Sequence, residues 1–225
     1  MILSALFLTL RLALVVAAIL MLIALPLGYW LASSRWRGRF VVEALVALPI
    51  VLPPTVLGFY VLTAIGPASP LGRWYHSLTG GSLAFTFRGL VVGSVLYSLP
   101  FAVQPTVAAF SSVDRSLLHA SSILGASRWR TFWRIILPLS LPGVLTGLVL
   151  SFAHTLGEFG VVLMIGGNIP GATQTVSILI YDQVQALNYA VANQTSLLLL
   201  GLCFGLLLVL FALRGKRGLG LWGWQ

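Results

Sequence analysis

The sequence predicts an all-α integral membrane protein with five transmembrane helices, and three observations carry that prediction. The 225 residues are 59% hydrophobic and only 8% charged, with a mean hydropathy of +1.02, outside the range of water-soluble domains. Apolar runs of about 20 residues, long enough to cross a bilayer, recur along the whole chain and leave no room for an extramembrane catalytic domain. The basic residues behind the formal charge of +9 sit in short clusters between these runs. That is the pattern of membrane topology and not of a nucleic-acid-binding face. Membrane lipid is therefore an expected partner and nucleic acid is not.

The whole chain, 1–225, is expected to be one transmembrane domain. Its N-terminus lacks the basic region of a signal peptide, so residues 5–32 read as a retained first span, with Arg11 near its start and a bend at Pro26. Residues 33–39 follow as a loop carrying Arg35, Trp36, Arg37 and Arg39. The second span is expected over 42–65, and Pro49, Pro53 and Pro54 inside it forbid a straight helix. Gly66-Pro67, Ser69-Pro70 and Gly80-Gly81 punctuate a loop in which Arg73, Trp74, Tyr75 and His76 read as interfacial anchors. A third span is expected over 87–110, with Pro100 and Pro105 marking a kinked second half. After a loop over about 112–137, the fourth span covers 138–165 and carries Gly143-x-x-x-Gly147, a spacing that lets helices approach closely. Asp182, Gln183 and Gln185 argue against a crossing over 176–187, and the last span runs over 189–213. Cys203 lies in an apolar run and reads as a buried, inert thiol, so neither a disulfide framework nor a cysteine metal site is available.

Arg35, Arg37 and Arg39, then Arg115, Arg128, Arg130 and Arg134, then Arg214, Lys216 and Arg217 make up ten of the 13 basic residues. The positive-inside bias places these ten in the cytoplasm, which puts the N-terminus outside and the C-terminus inside. An odd number of spans follows, in agreement with the five apolar runs.

The stretch over 117–142, LLHASSILGASRWRTFWRIILPLSLP, interrupts these spans with a basic, amphipathic segment. Ser112 or Asp114 is placed to cap a short helix that Gly125 then ends. A second helical piece begins at Ala126. In it Trp129, Phe132 and Trp133 share one face and Arg130 and Arg134 another, as in a helix lying on the bilayer surface with aromatics inward and arginines toward phosphate or water.

Gly125, followed after nine residues by Ile135-Ile136-Leu137-Pro138, resembles the cytoplasmic signature loop of the permeases of ABC importers, E-A-A, three residues, G, nine residues, I-x-L-P. Ala120, Gly125, Ile135, Leu137 and Pro138 match in register, while His119 stands in place of the usual Glu and Ser121 in place of the second Ala. The stretches LPIVLPPTVLGFY over 48–60, LGEFG over 156–160 and GNIPG over 167–171 are similar to the molybdate branch of these permeases, close kin of the sulfate permeases, and the similarity covers essentially the whole chain. The resemblance implies the type I importer fold, with the helix around Leu118, His119, Ala120 and Ser121 docking on an ATP-hydrolysing subunit and Gly125 as a joint. It implies a homodimer in the inner membrane, two ATPase subunits inside, and a periplasmic or lipid-anchored molybdate-binding protein outside. No phosphate-cradling Gly-rich loop with Lys and Ser/Thr occurs here, so ATP and Mg belong to the partner and this chain binds no cofactor and is not an enzyme. Sulfate, thiosulfate or tungstate are alternative substrates of the same machine.

A tetrahedral dianion calls for hydroxyls and backbone N–H groups without a strong fixed charge. Ser94, Ser98 and Thr106 on the third span and Ser151 and Thr155 on the fourth are the candidates, unless they bond their own helix backbone. His154 and Glu158 lie four apart. Glu158 reads as a structural partner of a neighbouring helix or of His154, holding the bend from Gly157 to Gly160 beside an outer gate. An intramembrane enzyme using His154 and Glu158, or a passive channel, are the alternatives of a different class, and a metal site lacks a third ligand.

Overall fold

A computed structural model describes residues 1–215, so Lys216 and Arg217 of the predicted basic tail lie outside the described residues. Among these, every regular element is a helix. The first, α1 (Ile2–Ser33), runs on without interruption despite Pro26. At 1.5 Å per residue it is about 48 Å long, well beyond the roughly 30 Å of a hydrocarbon core. Leu12, Val16, Leu20 and Ala24 recur every fourth residue and are fully buried, the stripe that α1 turns to α5 (Phe87–Ser111) and α8 (Leu137–Gly157).

These three helices form the core, and small residues set how closely they lie. A Cβ added at Gly143 would stand 2.4 Å from that of Ala109, and one at Gly147 would stand 2.7 Å from the Ala102 carbonyl oxygen. The Gly143-x-x-x-Gly147 face of α8 is therefore seated on α5, and side chains there would force the pair apart. Pro100 and Pro105 leave α5 continuous.

The second span is not straight, as its prolines require, and its bend is sharp. It is two helices, α2 (Arg39–Val51) and α3 (Pro54–Ile65), with a bend of 113° between them. Leu52 is the last residue to bond back into α2, to Leu48. Pro53 has no N–H to continue the ladder, and Pro54 starts α3 where a missing N–H costs nothing. The predicted loop over 66–86 contains α4 (Pro70–Thr79), opened by Ser69 capping Gly72 and closed by Gly80 at φ 70°. The fourth span ends at Gly157 and not at 165. Glu158 is extended, and a separate α9 (Gly160–Gly166) follows. Between α5 and α8 lie α6 (Arg115–Ile123) and α7 (Arg128–Thr131), the latter running through a π turn over Phe132–Ile136 into α8. The short α10 (Val176–Gln185) packs on α1, where the Val176 N–H donates to the Thr9 hydroxyl at 2.9 Å, and α11 (Tyr189–Gly215) closes the described chain. Four of the described helical segments are long and apolar enough to cross a membrane, and the bent α2–α3 pair is a fifth if counted as one span.

Candidate functional site

The loop between α5 and α8 is built as a helix, a turn and a helix. Asp114 opens α6 by accepting the Ser116 N–H at 2.8 Å, and this hydrogen bond holds its carboxyl below the usual carboxylate range. Gly125 sits at φ 73°, a left-handed conformation that favours glycine. Its N–H donates to the Ser122 carbonyl at 3.1 Å. Ser127 then caps α7 through the Arg130 N–H. The tip is apolar and open, with Ile123 84% and Leu124 85% exposed, and Leu117, His119 and Ala120 are exposed beside it. Leu118 instead turns inward, onto the cluster of Phe110, Val113 and Ile136 that seats the loop on the membrane helices.

Ser121, a departure from the family pattern, has a role that sequence reasoning missed. It is buried and shares a 2.6 Å hydrogen bond with the Thr131 hydroxyl, tying α6 to α7 across the glycine joint. Ile135 and Leu137 are half-buried and Pro138 is exposed. Of the aromatic face expected to turn into the bilayer, one ring packs on the protein itself. Phe132 packs against Tyr29 and Phe110, with ring centroids 5.0 and 5.9 Å away, whereas Trp129 and Trp133 are 71% and 48% exposed. Tyr29 of α1 and Phe110 of α5 meet edge to face and form a three-ring cluster with Phe132, against which Trp129 stacks and Trp133 lies edge-on from outside.

The membrane candidates are buried where helices meet. Ser94, Ser98, Thr106 and Ser151 are fully buried and Thr155 nearly so. Thr106 and Ser151 donate to their own helices, to Ala102 and Leu148, as does Thr155 to Ser151. Ser98 crosses between helices. Its hydroxyl lies 2.9 Å from His154 Nδ1 and 3.1 Å from the Thr155 hydroxyl, and the imidazole stacks on Phe101 at 4.0 Å. His154 is thus partnered with Ser98 and not with Glu158. One turn along both helices, Ser94 lies beside the Glu158 carboxyl, yet its hydroxyl and both carboxyl oxygens are buried without a hydrogen bond of good geometry. The neighbouring helix that holds Glu158 is α10, whose Ser177 donates to the Glu158 carbonyl at 2.5 Å. Gly157 is exposed at the break. Among the described residues no three of His, Cys, Asp and Glu come together.

The two interrupted spans meet each other. A Cβ on Gly160 would stand 2.7 Å from Pro54, and one on Gly58 would stand 2.8 Å from Met164, so α3 and α9 are in close register. Their starts lie side by side, with Thr55 exposed at the opening of α3. Pro53-Pro54 and the two glycines of LGEFG were the visible signals, but nothing in the linear order pairs them. Such interruptions are tolerated inside a bilayer only where the backbone is buried in protein or lines a cavity.

Residues 24–216 match the family model described as binding-protein-dependent transport system inner membrane component. The chain is 49% identical over 215 residues to the molybdenum transport system permease protein ModB of Azotobacter vinelandii, covering 96% of this chain and 94% of that one. It is 37% identical over 178 residues to ModB of Escherichia coli strain K12, covering 77% and 78%. To the probable sulfate transport system permease protein cysT of Chlorella vulgaris it is 33% identical over 207 residues, covering 92% and 77%. In fold it is similar to a bacterial alginate ABC transporter in complex with an alginate pentasaccharide-bound periplasmic protein, with a TM-score of 0.78, 18% identity and coverage of 95% and 78%. It also resembles the inward-facing MetNI methionine ABC transporter, with a TM-score of 0.72, 17% identity and coverage of 96% and 95%. This chain, whose described elements are all helices, with the fold of ABC-importer membrane subunits and a glycine-jointed loop between its core helices, therefore belongs to the family of binding-protein-dependent transport system inner membrane components.

Proposed function

We propose that this chain is the membrane-spanning subunit of an ATP-driven molybdate importer. The observation that carries the substrate is its 49% identity, over 96% of its length, to a molybdenum transport permease. The geometry supplies the mechanism. Two ATPase subunits, using ATP and Mg, grip the exposed tip of α6 in two copies of the chain. The turn at Gly125 and the Ser121–Thr131 bond pass that motion to α8 as a nearly rigid body. The pathway is formed between the two copies, beside the paired breaks at Pro53 and Glu158. There Thr55 and backbone N–H groups freed by the interruptions offer a dianion hydrogen-bond donors without a fixed charge. The buried Ser94, Ser98, Thr106, Ser151 and Thr155 lie one layer behind it, where Ser98 ties α5 to α8 through His154 and Thr155. The ten clustered basic residues put the loop in the cytoplasm, the N-terminus outside and the C-terminus inside, and a periplasmic or lipid-anchored binding protein delivers the anion at the outer face.

The test is uptake into proteoliposomes containing this chain, its cognate ATPase and its binding protein. Molybdate uptake should require ATP and all three proteins, and uptake persisting without the ATPase would contradict the coupling. The similarity to cysT sulfate permeases favours sulfate as a second reading. Competition among molybdate, tungstate and sulfate in the same vesicles decides between them.

A further inference from the structure

We propose that the arginine and tryptophan segment beyond the Gly125 joint, together with the loop after α1, binds acidic phospholipid headgroups at the face of the membrane where the coupling loop lies. The proposal draws on the importer reading only for which face that is. Charge is the starting point. The described residues on this face carry Arg35, Arg37, Arg39, Arg115, Arg128, Arg130 and Arg134 against Glu43 and Asp114. Glu43 is taken by Arg39, Nε to Oε1 3.6 Å, and the Asp114 carboxyl is occupied in capping α6. Six arginines are left with no anion among the described residues, so nothing within these residues supplies their counter-charge.

The surroundings identify its source. Tyr29 and Phe132 bring the end of α1 against the π turn, and Trp30 packs on Trp36 at 6.1 Å. The loop carrying Arg35 and Arg37 therefore lies at the level of Arg128, Arg130 and Arg134. Trp36, Trp129 and Trp133 are all exposed here, interleaved with the arginines. Exposed indoles suit neither bulk water nor hydrocarbon alone, and indole with guanidinium suits the boundary of acyl chains and phosphates. The docking tip of α6, with Ile123 and Leu124, lies across the left-handed turn at Gly125. A subunit seated on that tip leaves the indole side of α7 to the bilayer.

The assembled complex in nanodiscs of phosphatidylcholine with a minority of phosphatidylglycerol supplies the test. Lipid retained after detergent extraction is counted by mass spectrometry. Phosphatidylglycerol should be enriched over the bulk mixture, and Arg130→Gln with Arg134→Gln should reduce its retention by roughly fivefold per arginine, while Arg130→Lys with Arg134→Lys keeps most of it. Because a nanodisc offers one lipid mixture on both faces, this readout is independent of sidedness and of substrate, so its failure leaves the importer reading standing. Equal retention by the Gln variant would overturn the proposal, as would loss of the ATPase subunit with lipid retained, which would assign the arginines to a protein partner. The unsubstituted complex gives a check that no folding defect can blur. Brominated phosphatidylglycerol should quench its tryptophan fluorescence more strongly than brominated phosphatidylcholine, and equal quenching contradicts the site.

Discussion

The α5–α8 interface and the loop that joins the same two helices handle polar groups in opposite ways. At the interface, Ser94, Ser98, Thr155 and Glu158 are buried and His154 half-buried, and Ser98 satisfies two partners at once while Ser94 and Glu158 lack a good one. In the loop, charge and indole face outward, and the buried bond between Ser121 and Thr131 holds the shape. A polar group enclosed in the membrane domain can fix helix positions, and one at its edge is available to a partner. Transport needs both, a core that moves as a body and a handle by which to move it.

Substitutions can break this contrast at either end. The largest effect is expected from Gly147→Leu, which drives a side chain into the Ala102 carbonyl. Overpacking of this kind costs about 1–3 kcal/mol, and the assembled complex should be recovered in lower yield with a lower Tm, as read by size-exclusion and thermal unfolding. Glu158→Leu comes next and should act in the opposite sense on stability. Removing a buried polar group without a good partner should raise stability by about 1–3 kcal/mol, while uptake falls because the break loses its polar centre. Glu158→Gln should retain more uptake than Leu, with the preference for molybdate over sulfate unchanged in both. A drop in Tm for Glu158→Leu would show that the carboxyl is already well partnered.

Ser121→Ala should cost about 1 kcal/mol, the worth of one hydrogen bond, and loosen α6 from α7 without unfolding the spans. Faster amide exchange in α6 alone would register it. The smallest effect is expected at Asp114. Its carboxyl is held below the ordinary range by the Ser116 N–H. The cap therefore contributes stability above the unfolded carboxylate pKa and loses it as pH falls through the lowered folded value. Asp114→Asn should flatten that acid dependence of α6 exchange while leaving neutral-pH exchange nearly unchanged.

Much of this was legible in the chain. The order of apolar runs, the Gly143-x-x-x-Gly147 face and the Gly125 joint follow from hydropathy, small residues and turn chemistry, all local signals. The break at Pro53 was visible as proline, but its 113° bend was not, because a proline marks where a helix stops and not where the next one goes. The predicted continuation of the fourth span past Gly157 failed although no proline stands there. The glycines and Glu158 of LGEFG marked a bend, but the apolar run resumes at Val161 and Val162, and only the extended Glu158 and the packing of Gly160 on Pro54 show that a new helix has begun. His154 and Glu158, four apart in sequence, do not pair because α8 ends between them at Gly157: the imidazole meets Ser98 of α5, and the carboxyl of the extended Glu158 is buried without a hydrogen bond. Ser121 resembled a mere departure from a motif until Thr131 was placed across from it.

The account stands or falls on whether the loop transmits force, and Gly125→Pro tests this most directly. Proline cannot adopt φ 73° and has no N–H for the Ser122 carbonyl. Molybdate taken up per ATP hydrolysed, measured in proteoliposomes of correctly assembled complex, should fall at least about tenfold while hydrolysis itself continues, the loss of roughly 1.4 kcal/mol or more of coupling between the sites. An unchanged ratio would contradict the mechanical role of the joint.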